Sequence, residues 1–190
     1  FYLFFFSYNL CILNYNVMIK KKLLSLITLL LLFNLTFNLV SNDIEKIKII
    51  KEPYYIDTLE LINYKEKSTF IYDKPASYFI INFWASWCAP CIKEMKSLNS
   101  LQKKVSFIRV ITISQDKSLD IAKEFFKKNK HEALEKYFDK DKRVLSSFSI
   151  RGLPTTFIVN KDYEVFAKVE GIIEWDSKTF INWLNENLKK

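Results

Sequence analysis

The chain of 190 residues carries 29 Lys and Arg against 21 Asp and Glu, a formal net charge of +8, and 49% of its residues are hydrophobic. That length suits one domain plus a targeting segment, and the apolar share excludes a disordered chain. The basic excess would suit nucleic acid or an acidic membrane surface. The lysines, however, are interleaved with acids and form no continuous stripe, so no nucleic-acid partner is expected.

Residues 1–17 are aromatic-rich, uncharged and upstream of the first Met, and read as a segment not translated in vivo; Cys11 would go with them. Met18-Ile19-Lys20-Lys21-Lys22 is a basic n-region, followed over residues 23–40 by an apolar run broken only by Ser25, Thr28, Asn34, Thr36 and Asn38. Residues 1–40 are therefore expected to form a signal or anchor region, with the lysines cytoplasmic and everything beyond Val40 across the membrane. No small-x-small cleavage site lies near Val40 and no lipobox-like cysteine follows. The run therefore reads as an uncleaved anchor, with a cleaved secretory signal as the alternative. Residues 41–53, charged and aperiodic, predict a linker, which leaves 54–190 as the domain.

Within that domain residues 59–71 predict a β-hairpin. Residues 78–84, aromatic and β-branched without a charge, predict a strand buried on both faces. From Cys91 to Lys104 the apolar Ile92, Met95, Leu98 and Leu101 recur at three-residue spacing and predict a helix with one buried face. A strand is expected over residues 107–114, then a helix over 119–129 with Ile121, Ala122, Phe125 and Phe126 on one side. A short helix over 144–150 is broken by Gly152-Leu153-Pro154. Strands over 155–159 and 165–169 are joined through the turn residues Asn160-Lys161-Asp162, and a helix over 177–188 closes the chain. The order β-α-β-α-α-β-β-α predicts an α/β fold with helices on both faces of a mixed sheet.

With Cys11 set aside the cysteines reduce to one pair, too few and too close for a structural disulfide framework. Cys88 and Cys91 sit where a buried strand gives way to a helix, and their spacing stacks both side chains on the first turn, where they can close a disulfide. Unsatisfied N–H groups and the positive end of the helix dipole favour a thiolate there, so Cys88 is expected as the nucleophile, below the ordinary thiol pKa of about 8.5. Pro90 fits the first turn, where its missing N–H does no harm. Ala89 adds no charge that would make the pair a strong oxidant. Trp87 can shield one side of the thiolate and offer an apolar surface to a partner, whereas Trp84 reads as core. Gly152-Leu153-Pro154 joins a short helix to a strand. There a cis Pro154 would free the Leu153 backbone to pair with an extended substrate, and a trans proline at a strand's first residue is the alternative. Zinc needs four ligands, and His131 is the single histidine. No metal and no cofactor is therefore expected.

Asn82-Phe83-Trp84-Ala85-Ser86-Trp87-Cys88-Ala89-Pro90-Cys91, followed downstream by Gly152-Leu153-Pro154-Thr155-Thr156-Phe157, resembles the TlpA/ResA/DsbE branch of the thioredoxin superfamily. The likeness spans residues 59–188 and includes an inserted helix after Ser118 and a Gly171-x-x-x-Trp175 segment. It implies a thioredoxin fold with an N-terminal β-hairpin and a TlpA-type insertion, on a protein anchored at the periplasmic side of the bacterial inner membrane. It further implies a reductant of specific client disulfides in cytochrome c or cytochrome oxidase biogenesis, re-reduced by a membrane thiol reductant. By position, Cys88 would attack, Cys91 resolve, and Pro154 be a cis proline facing them. Glu94 would match a glutamate that influences proton transfer; a solvated helix carboxylate is its plain alternative. Asn82 stands where ordinary thioredoxins keep a buried Asp. Since an amide cannot take the resolving thiol's proton, Glu94 or water must. The rival functions are a general thiol oxidant or isomerase and, less suited by the tight cysteine spacing, a copper metallochaperone on the same fold.

Overall fold

In the computed structural model, which describes residues 18–29, 43–56, 60–71, 75–148 and 150–188, Tyr78–Trp84 forms a strand buried at every position after Tyr78. Numbered in chain order, the strands are β1 (Ile47–Tyr55), β2 (Glu60–Asn63), β3 (Ser68–Phe70), β4 (Tyr78–Trp84), β5 (Ile108–Ser114), β6 (Glu135–Phe138), β7 (Thr155–Asn160) and β8 (Glu164–Glu170). The helices are α1 (Ala89–Lys104), α2 (Leu119–Lys128), α3 (Arg143–Ser147) and α4 (Lys178–Leu188). The strands form one sheet of order β1-β8-β7-β4-β5-β6-β2-β3. Pairs β4–β5 and β5–β6 are parallel, and the remaining pairs are antiparallel.

Alternation along β4 divides the core in two. Ile80 and Trp84 face a layer holding Met95, Leu98 and Leu101 of α1, Phe125 and Phe126 of α2, and Phe180 and Leu184 of α4. Phe79, Ile81 and Phe83 face the other, with Val144 of α3 and Phe148. Helices therefore cover both faces of a mixed sheet, as the element order predicts. Trp84 is core, its ring 4.8 Å from Phe125 and 5.1 Å from Phe126.

Several expectations are corrected. The linker expected over residues 41–53 is structured from Asp43, and Ile47–Tyr55 is an edge strand paired antiparallel with β8. Its sequence hides this because an edge strand buries little: Ile47 is its single buried residue, and a register shift between Ile49 and Tyr54 accommodates Pro53. β6 was not foreseen, since four residues with two charges carry no period. In α1 the buried face is Cys91, Glu94, Met95, Leu98 and Leu101, and Ile92 is exposed. A strict three-residue spacing drifts about 60° per step, so Ile92 and Leu101 lie on opposite sides of the helix. Ile121 likewise turns out of the face of α2 that buries Ala122, Phe125 and Phe126.

Residues 1–17 and 30–42 lie outside the described residues, and with them Cys11 and most of the expected anchor. Residues 18–29 are helical and exposed. Among the described residues no helix is long and apolar enough to cross a membrane.

One ion pair ties the added hairpin side to the central strands. Arg109 of β5 donates from Nε and Nη2 to the two carboxylate oxygens of Glu135 in β6 at 2.6 and 2.8 Å. Its Nη1 donates to the Ile71 carbonyl beyond β3 at 2.9 Å. Removing one partner of a largely buried pair strands the other, so Arg109→Met should lower stability by about 2–4 kcal/mol. Urea unfolding checks this, and Arg109→Met with Glu135→Leu should recover part of the loss; a single variant as stable as the wild type would contradict it.

Candidate active site

The chain leaves β4 at Trp84 and enters α1 through Ala85 to Cys88. Cys88 has extended backbone angles (φ −87°, ψ 96°) and is the N-cap of α1, its Sγ accepting from the Cys91 N–H at 3.3 Å. The two sulfurs are joined, with Cα atoms 5.2 Å apart. Exposure separates them: Cys88 is 5% exposed and Cys91 fully buried. An incoming thiolate or disulfide can therefore meet Cys88 and not Cys91. A thiolate at Cys88 would occupy the position where the first N–H groups of α1 converge, which favours the anion. Pro90 lies in that first turn.

Trp87 stands 70% exposed next to Cys88 in the chain, so it offers apolar surface outward. The turn beneath it is held by a residue the sequence reading missed. Asp116, buried just beyond β5, accepts from the Ser86 N–H at 3.0 Å, from the Ser86 hydroxyl at 2.8 Å and from the Ser114 hydroxyl at 2.8 Å. The available signal was a polar Ser-Gln-Asp directly after an apolar strand, where a solvated turn is the ordinary reading.

β7 starts at Thr155 opposite Phe83, which brings the segment before it to the end of β4 where the cysteine turn begins. The Leu153–Pro154 peptide is cis. Gly152 is exposed, Leu153 half-buried, and Pro154 buried. The Thr155 hydroxyl donates to the Gly152 carbonyl at 2.7 Å. Gly171, in the left-handed region at φ 87° where glycine is favoured, donates its N–H to the Pro154 carbonyl at 3.0 Å.

Glu94 is not a solvated carboxylate. It is 3% exposed on the face of α1 that carries Cys91 one turn earlier. Its Oε1 accepts from Asn82 Nδ2 at 2.8 Å and its Oε2 from the Trp175 indole N–H at 2.9 Å. Trp175 is core and also a partner of this carboxylate; its own backbone N–H donates to Ser97 Oγ at 3.3 Å. Burial pushes the Glu94 pKa from 4.5 up to about 7, against the opposing pull of the two donors. A carboxyl with that affinity can take a proton from a thiol and return it near neutral pH.

Among the described residues no group of three His, Cys, Asp or Glu side chains could hold a metal ion. His131 lies against Phe125 and Phe126, its pKa lowered by burial and by Lys136.

The raised pKa of Glu94 has a stability consequence. Above about pH 4.5 the unfolded chain releases this proton while the native state keeps it up to about 7. Stability contributed by the protonated carboxyl at low pH is therefore lost as pH rises through that window, by up to roughly 3 kcal/mol. Chemical unfolding at pH 5 and pH 8 should show this loss in the wild type, and Glu94→Gln should abolish it. Equal pH slopes in the two proteins would refute the assignment.

The thioredoxin-like family profile matches residues 76–165. The chain is 32% identical over 138 residues to a thiol-disulfide oxidoreductase ResA of Bacillus cereus, covering 68% of this chain and 73% of that one. To ResA of Bacillus subtilis (strain 168) it is 30% identical over 115 residues, covering 60% and 58%. A thiol:disulfide interchange protein from Bacteroides sp. shares the fold with a TM-score of 0.62 at 21% identity, over 74% of this chain and 92% of that one. StoA from Bacillus subtilis shares it with a TM-score of 0.54 at 20% identity, over 62% and 90%. With its cysteine pair at the mouth of α1 and this extent of identity, the chain belongs to the ResA-like thiol-disulfide oxidoreductases of the thioredoxin-like family.

Proposed function

We propose that the chain is an exported, membrane-tethered reductant of specific client disulfides, serving cytochrome c or cytochrome oxidase assembly. The observation that carries the reductant reading is the Cys88-Ala89-Pro90-Cys91 turn, with the more accessible sulfur at the helix N-cap and no charged residue between the cysteines. Export and tethering rest on the Lys20 to Lys22 cluster and the apolar run after it; the client class rests on the motif resemblance.

In the reductive direction, the Cys88 thiolate attacks one sulfur of a client disulfide, the client S–S bond breaks, and the first client thiolate leaves. Cys91 then gives its proton to Glu94 and attacks Cys88 Sγ, which breaks the mixed disulfide and releases the second client thiolate. Two electrons pass to the client, and the Cys88–Cys91 disulfide of the structure is the oxidised product. Glu94 then loses its proton to solvent. Exposed Trp87 and Gly152 and half-buried Leu153 flank the point of attack and are the surfaces a client would touch. A membrane thiol reductant would return the two electrons.

Cys91→Ser keeps the nucleophile and removes the thiol that frees the client, so mixed disulfides should accumulate in its own compartment. They should be absent when Cys88 is also replaced. Cytochrome assembly factors among the trapped proteins support the proposal, and a broad set of unrelated secreted proteins would point to a general oxidant or isomerase. In spheroplasts a membrane-impermeant reductant should cleave the trapped species; protection from it would place the domain in the cytoplasm.

The direction of electron flow has its own measurement. Equilibration with glutathione should give a potential below about −200 mV, on the reducing side of disulfide isomerase. A value near about −120 mV, that of a strong periplasmic oxidant, would reverse the assignment.

A further inference from the structure

The carboxylate of Glu94 has two hydrogen-bond partners, and they are not equivalent. The indole N–H of Trp175 can only donate, so Oε2 is an acceptor whatever the charge of the group. A proton taken up by Glu94 therefore belongs on Oε1, the oxygen that faces Asn82. Asn82 is fully buried in β4, opposite Thr156 of β7. Its Nδ2 donates both to Glu94 Oε1 and to Thr156 Oγ1, each at 2.8 Å, while its buried Oδ1 has no hydrogen-bond partner.

This arrangement suits an ionised Glu94 and fails a protonated one. With a hydrogen on Oε1, a donor would face a donor. Rotating the amide by half a turn removes the conflict: Oδ1 then accepts from the Glu94 carboxyl and from the Thr156 hydroxyl, which donates as readily as it accepts. The far side of the amide is without a partner in both arrangements, so the turn exchanges an unpartnered acceptor for unpartnered donors, and the pairing with Glu94 is what selects between them. We propose that Asn82 is a positioning residue whose side-chain amide turns over with the protonation of Glu94, presenting Nδ2 to the carboxylate and Oδ1 to the acid.

The groups around Glu94 leave it free to respond in this way. Asn82 faces it from β4 and Trp175 from the segment before α4; Thr156 of β7 reaches it through Asn82. None of the three titrates near neutral pH. On its own helix Cys91 is the titratable neighbour when reduced. Burial raises its proton affinity and the two neutral donors pull the other way, with no charged side chain among the causes. The acids flanking Trp175 are engaged elsewhere: Asp176 accepts from Lys104 at 2.8 Å, and Glu174 interacts with Asp176, Asp43 and Lys93. An ionised aspartate at position 82 would place a second acceptor and a like charge against the Glu94 carboxylate. The amide can serve both states, because one end donates and the other accepts.

The proposal deepens the reading of Glu94 as the proton acceptor for Cys91, and the two can fail separately. In the oxidised full-length protein, the Asn82 side-chain amide protons should show NMR cross-peaks to Thr156 at high pH. These should be lost on lowering the pH, with the same midpoint as the Glu94 carboxyl carbon. Glu94→Gln, whose amide can donate to Asn82 Oδ1 while its carbonyl accepts from Trp175, should lack the cross-peaks at every pH. Cross-peaks that persist while the Glu94 carbon titrates would overturn the proposal, and the wild-type titration decides this even if Glu94→Gln does not fold. An amide that turns over in a protein whose mixed-disulfide resolution ignores the Glu94 midpoint would uphold the rotation and overturn the proton-acceptor role.

Discussion

A strand with no exposed residue after its first position needs cover on both faces and hydrogen-bonding neighbours on both edges, and β4 imposes that demand on the rest of the domain. Parallel β5 and antiparallel β7 close its edges along its length. The helices α1, α2 and α4 cover one face, and α3 with the Phe148 and Phe157 rings covers the other. Because β4 is buried to its last residue, the chain can reach solvent only beyond Trp84. The turn that begins there carries the two cysteines. Antiparallel pairing then returns β7 to the same end, so the cis-proline segment arrives beside the cysteine turn through sheet register alone.

The same burial creates the chemistry of Glu94. A polar group inside a sheet–helix interface is costly unless it is hydrogen-bonded, and a carboxylate more so. Here two neutral donors leave desolvation as the larger influence, and the proton affinity rises into the range in which thiols exchange protons. Arg109 and Glu135 solve the problem differently. There an opposite charge compensates each buried group, and the pair is structural. Around Glu94 the partners are neutral and the charge can change, which is what a group handling protons requires.

The active-site turn gains its shape from a second buried carboxylate. Asp116 binds the Ser86 N–H and hydroxyl and the Ser114 hydroxyl, so the segment between Trp84 and Cys88 is fixed to the end of β5. Trp87 can then remain outside without loosening the turn. The exposed indole next to Cys88 is apolar surface that core formation alone would not leave uncovered.

Local pattern is enough to specify one part of this molecule. A run of β-branched and aromatic residues marks β4, and the Cys-x-x-Cys spacing with Pro90 marks the start of α1. The Asn160-Lys161-Asp162 turn marks the β7–β8 hairpin. These features follow from side-chain periods and backbone preferences that act over a few residues, and they suffice to place Cys88, Cys91 and Pro154. Burial between distant segments governs the other part, and it exists only once the chain has folded. It makes a strand of Ile47–Tyr55, since an edge strand takes its hydrogen bonds from β8 and shows little period of its own. It sets the true inner face of α1, which admits Glu94 and turns Ile92 out. It also brings Asn82, Glu94, Thr156 and Trp175 together from four places in the chain. A glutamate in a helix looks the same in sequence whether it faces water or an indole, and only the packing of α4's leading segment against α1 removes the water that would otherwise hold its pKa at the ordinary carboxylate value.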